Sequence, residues 1–104
     1  MTKELIEITF GNAMAQAKEL ESCADSMDSL VRGSLSSLQS EMALNWQGES
    51  ASAYFQKVDL TGNNILKTAE KLRNIAVVLR KTAWLFKDAE TKALEIAQQR
   101  TYNS

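Results

Sequence analysis

Two apolar stripes, each advancing by alternating steps of 3 and 4, constrain this chain more than any other feature. The first runs Phe10, Ala13, Ala17, Leu20, Ala24, Met27, Val31, Ser34, Leu38 and Met42; the second runs Val58, Gly62, Ile65, Ala69, Leu72, Ala76, Leu79, Ala83 and Phe86. Such steps keep one face of an α-helix turned inward. The chain has no proline, so neither run carries the strongest helix breaker. The spacing predicts helix 1 over about 10–43, with Thr9 as its N-cap, and helix 2 over about 50–97, with Ser50 as its N-cap. Residues 1–8 read as frayed or extended.

Between the stripes lies Asn45-Trp46-Gln47-Gly48-Glu49. Gly48 can take the positive φ that ends a helix, and Asn45 and Gln47 supply polar turn chemistry. A connection this short folds the helices back on each other, antiparallel, as one domain spanning residues 1–104. Trp46 is then a large side chain at the apex, placed to lie across the first turn of helix 2 against Tyr54 or Phe55. Stacking the stripes sets Phe10 opposite Phe86, Leu20 opposite Ala76, Met27 opposite Ala69 and Ser34 opposite Gly62. Large faces small in most layers, which fills a narrow seam. Charge agrees with this register. Residues 1–45 hold three basic and seven acidic side chains, net −4, and residues 46–104 hold nine basic and six acidic, net +3. Glu21, Asp25 and Asp28 fall opposite the region of Lys67, Lys71 and Arg73.

Composition narrows the function. A chain of 104 residues with a net charge of −1 lacks the basic excess of a nucleic-acid binder. No apolar run reaches the roughly 18 residues of a membrane span, and MTKELIEITF has no apolar core or cleavage site of a signal peptide. The polar faces carry Lys67, Lys71, Arg80, Lys81 and Lys87, but acidic residues lie among them, which argues against a membrane-active hairpin. The single cysteine, Cys23, excludes an internal disulfide and reads as a small structural residue. Histidine is absent, which removes the commonest general base and transition-metal ligand. No catalytic residue, metal site or cofactor is therefore expected.

One hairpin leaves apolar surface unused. Ile75, Val78, Trp84 and Leu85 on helix 2, and Leu30, Leu35 and Leu44 on helix 1, lie beside the seam. A second hairpin covering that band gives a four-helix bundle, with Ile75, Val78, Leu85, Leu30 and Leu35 as the expected dimer interface.

A W-x-G at mid-chain, Trp46-Gln47-Gly48, between two long helices in a chain of about a hundred residues, resembles the WXG family. These are the early-secreted-antigen-like proteins exported by the type VII secretion system of Gram-positive bacteria and mycobacteria. The resemblance covers nearly the whole chain. It implies a helical hairpin that pairs with itself or with a related WXG-type protein, as homodimer or heterodimer. It also implies export from the cytoplasm without a cleaved signal, through the type VII secretion ATPase. The implied roles are effector, export component, or escort of a larger toxin substrate. The family's second mark is a tyrosine followed four positions on by an acidic residue, just after helix 2. Here Tyr102 is followed only by Asn103 and Ser104, and Tyr54 lies at the wrong end. The nearest stand-ins are Phe86 with Glu90, which better match the family's distance from W-x-G, and Trp84 with Asp88. An aromatic and a carboxylate four apart share one helix face. A partner carrying the complete signal is the other route out. The competing class is an intracellular four-helix adaptor or regulator in which the W-x-G is coincidental.

Overall fold

The computed structural model describes residues 1–103, with side chains as far as Thr101; the side chain of Tyr102 lies outside them. The described chain is all-α. Helix α1 spans Lys3–Ser29, a π-helical turn spans Leu30–Leu35, α2 spans Ser36–Asn45, and α3 spans Glu49–Asn103. By contact the chain forms two units, one of Met1–Leu20 with Asn74–Ser104 and the other of Glu21–Arg73.

In the first unit, α1 begins well before the expected Phe10. The Leu5 N–H donates to Thr2 Oγ1 at 3.2 Å, and the Ile6 N–H to the Thr2 carbonyl at 3.0 Å. Thr2 is thus the N-cap that the sequence reading gave to Thr9. The alternation in residues 1–8 conceals a helical inward position, since Ile6 is buried. Ala17, Ala76 and Ala83 are buried in the same unit, with the larger Phe10, Leu20, Leu79 and Phe86 half-buried beside them. The ring that Phe10 meets is Trp84, edge-on with centroids 4.7 Å apart, rather than the expected Phe86.

In the second unit the buried side chains are Ala24, Ala51 and Ala69. Arg73 donates to Asp25 at 2.8 Å and to Asp28 at 2.5 Å, which ties α3 to α1 where the charge pattern placed opposite signs. The two hydrogen bonds, to Asp25 first and then Asp28, raise the guanidinium pKa above its ordinary value. A raised basic pKa contributes stability below the unfolded value and loses it only as pH rises through the folded one. This contribution is therefore constant across the neutral range.

The π turn explains a second difference from the sequence reading. The sequence reading set Ser34, Leu38 and Met42 inward after Val31. The structure half-buries Met42 as expected, but it half-buries Leu35 and Gln39 where Ser34 and Leu38 were expected, and leaves those two exposed. One extra residue in the turn rotates everything after it by one position. Half-burying Leu35 and Met42 is worth about 1 kcal/mol each, set against the distortion of one helical turn. The turn is held locally. The Ser36 N–H reaches back five residues to the Val31 carbonyl, and the Ser36 hydroxyl donates to the same oxygen at 2.9 Å. Gln39, brought inward, donates to Asp59 at 3.0 Å. Gly62 is therefore matched to Leu35 and Val31 rather than to Ser34. A Cβ at Gly62 would lie 3.3 Å from both Leu35 Cδ2 and Val31 Cγ1.

Deletion of Gly33 tests this reading. It should restore plain α geometry with Leu35 and Met42 still inward, and change stability by less than about 1 kcal/mol in thermal unfolding followed by circular dichroism. Deletion of Ser22 displaces Ala24 and Met27 from the seam and should cost more than about 3 kcal/mol. Equal damage from the two deletions would show that the turn is not a simple one-residue insertion.

Candidate functional site: the W-x-G joint and the aromatic–acidic pairs

The joint is built from two helix ends. Helix α2 stops where Trp46 turns extended, at φ −136° and ψ 116°, with its N–H still donating to the Met42 carbonyl at 2.9 Å. Asn45 closes the same end by donating its side-chain amide to the Glu41 carbonyl at 3.2 Å. Gly48 has φ +113°, a region that a side chain disfavours. Its role differs from the one expected. It does not end helix 1; its carbonyl accepts from the Ser52 N–H at 3.0 Å and so opens α3. The first helical residue is Glu49, so Ser50 is not the N-cap. An acidic residue in the first turn also favours the positive end of the helix dipole.

Trp46 packs across the start of α3. Its ring lies 5.3 Å from Tyr54 and 6.0 Å from Phe55, centroid to centroid, and Tyr54 and Phe55 are 6.3 Å apart. Three rings at such distances form a small apolar cap over the joint. The indole remains 38% exposed, so the cap has an open side.

Both aromatic–acidic pairs lie inside α3, which runs unbroken past them, and not after a helix end. Their surroundings differ. Phe86 and Glu90 are half-buried. Trp84 is 56% exposed and the Asp88 side chain 64% exposed. Asp88 accepts from Lys92, one turn on, at 3.0 Å. Trp84 is braced by Phe10, and the Lys87 ammonium stands over both rings, 4.5 Å from the Phe10 centroid and 5.3 Å from that of Trp84. This three-residue cluster was missed in the sequence. The spacing of Trp84 and Lys87, one helical turn apart, was the signal for half of it.

Of the expected interface residues, Leu30, Ile75, Val78 and Leu85 are each more than half exposed. Leu35 is half-buried beside Gly62. Cys23 is exposed, contrary to its reading as a small structural residue. Among the described residues, no helix is long and apolar enough to cross a membrane. Nor do they include a group of three His, Cys, Asp or Glu that could hold a metal ion.

Neither a curated protein nor a solved structure matches the chain. A family does, and its span takes in most of α1, the joint and both aromatic–acidic pairs. With that match running over residues 5–91 and with Trp46 and Gly48 at the joint of its two long helical runs, the chain belongs to the WXG100 family, proteins of 100 residues with WXG.

Proposed function

We propose that this chain is a small type VII-secreted or co-secreted protein that works by protein–protein contact, as an effector, an export component or the escort of a larger substrate. The observation that carries the reading is family membership over residues 5–91, with the W-x-G at a helix–helix joint. Catalysis has no part in it. The chain leaves the cytoplasm without a cleaved signal peptide, by way of the type VII secretion ATPase. Trp84 with Asp88, or Phe86 with Glu90, stands in for the missing tyrosine-based signal.

Pairing with a second hairpin, its own copy or a related WXG-type chain, completes a four-helix bundle. Exposed Ile75, Val78 and Leu85 support this, because their spacing makes a second apolar stripe along α3, beside the inward one. The sequence reading adds Leu30 and Leu35 to the residues that would make this contact. The test is the size of the protein purified from its host, measured by light scattering. A dimer, alone or with a related chain, is expected. Val78→Glu should weaken that dimer by about 2–4 kcal/mol, since it buries a charge in the contact, while helicity stays unchanged. A monomeric wild-type protein with no partner in the host contradicts the reading.

A further inference from the structure

We infer that the π turn at Leu30–Leu35 is a register switch. In its second state Ser36–Asn45 turns by one residue position against α3, which exchanges Leu35 and Gln39 for Ser34 and Leu38. Side-chain hydrogen bonds hold the observed register, and Trp46, at the far end of α2, turns with the helix. The switch does not depend on export.

The two registers bury nearly the same apolar surface. The observed one half-buries Leu35 and Gln39 and leaves Ser34 and Leu38 exposed, Leu38 by 52%. Turning α2 back by one residue, about 100°, sets one leucine inward in place of the other and one polar side chain in place of the other. Apolar area therefore does not choose between them. Three local contacts do. The Ser36 hydroxyl donates to the Val31 carbonyl at 2.9 Å. Gln39 donates to Asp59 at 3.0 Å, an exposed bond that contributes little. Gly62 leaves room for Leu35, since a Cβ there would lie 3.3 Å from Leu35 Cδ2, closer than an ordinary carbon–carbon contact. In the turned register the smaller Ser34 faces residue 62 and relieves that crowding. A helix segment with two packed arrangements of similar burial is a two-state element, and a small bias moves its populations. Single π turns inside α-helices are frequent at functional sites. Here the output lies at the joint. The Trp46 N–H donates to the Met42 carbonyl at 2.9 Å, so the last turn of α2 carries the indole.

The reactivity of a thiol at residue 34 tests the inference. Ser34→Cys, in the full chain with Cys23→Ser, should react with an aromatic disulfide reagent nearly as fast as a free thiol, because Ser34 is exposed. Adding Gly62→Ala should slow the reaction about tenfold, since the turned register covers the thiol, while circular dichroism keeps its helical signal. Ser36→Ala with Asp59→Ala removes the two side-chain bonds and should slow it about threefold. Deleting Gly33 removes the residue that the switch moves, so Gly62→Ala should then leave the rate unchanged. The emission of Trp46, read in a Trp84→Phe background, should shift whenever the thiol slows. If the rate is unchanged in both Gly62→Ala and the double variant, or falls equally when Gly33 is deleted, the switch is overturned. If Gly62→Ala unfolds the chain, the double variant alone decides, and an unchanged rate there overturns the switch. A thiol already protected in the parent chain would overturn the role of Ser36 and Gln39 in holding the observed register. A slowed thiol with unchanged emission would overturn the coupling to Trp46.

Discussion

Ala76→Asp should leave the chain largely unfolded at neutral pH and 25 °C. The Ala76 side chain is fully buried, and the other buried side chains of its unit are Ile6 and the alanines Ala17 and Ala83, none of which offers a side-chain donor. An unpaired carboxylate there costs several kcal/mol, on the order of the whole stability of a domain this small. Circular dichroism should show most of the helical signal gone. The introduced group has its folded-state pKa raised by desolvation. Its penalty is therefore absent below the unfolded value, near about 3.9, and grows as pH rises above it. Partial refolding in acid is the expected signature. A neutral-pH melt like that of wild type would mean that Ala76 does not lie on a closed seam.

Trp46→Ala and Gly48→Val should both damage the joint, for different reasons. A well-buried tryptophan costs about 3–5 kcal/mol when truncated to alanine. Trp46 is 38% exposed, so about 1.5–3 kcal/mol is expected, through loss of its contacts with Tyr54 and Phe55. Gly48 has no atom within 4 Å of where a Cβ would stand, so space is not the difficulty. Its φ of +113° is, and a side chain there costs about 1–3 kcal/mol of backbone strain. Gly48→Ala should then be nearly as harmful as Gly48→Val, a comparison that chemical denaturation resolves. A valine much worse than alanine would point to crowding instead. Both joint variants should also lower the secreted fraction.

Much of this molecule can be read from residue spacing because its seam is narrow. The alternation of alanine with larger residues from Phe10 to Met27 and from Ala69 to Phe86 corresponds to the observed burial, and the opposite charges of Asp25, Asp28 and Arg73 meet. Periodicity failed where the backbone changed its period. Nothing in a 3–4 stripe reports a π turn, so Ser34 and Leu38 were read inward when Leu35 and Gln39 are. The start of α1 was missed because Leu5 and Ile8 are exposed around a buried Ile6, which blurs the amphipathic pattern. At the joint, Trp46 and Gly48 were legible as turn residues, but which helix Gly48 serves depends on a single backbone hydrogen bond. The cluster of Phe10, Trp84 and Lys87 depends on two segments far apart in sequence, and on rotamers that spacing does not determine.

The central claim is export through type VII secretion, and comparing host fractions tests it most directly. The native bacterium and a strain lacking its secretion ATPase are each separated into cytoplasm and culture medium, with a cytoplasmic enzyme as lysis control, and the protein is quantified in every fraction. The account predicts full-length, uncleaved protein in the medium of the native strain, and its retention in the cytoplasm when the ATPase is missing. Protein confined to the cytoplasm in both strains, or secreted equally in both, would contradict it.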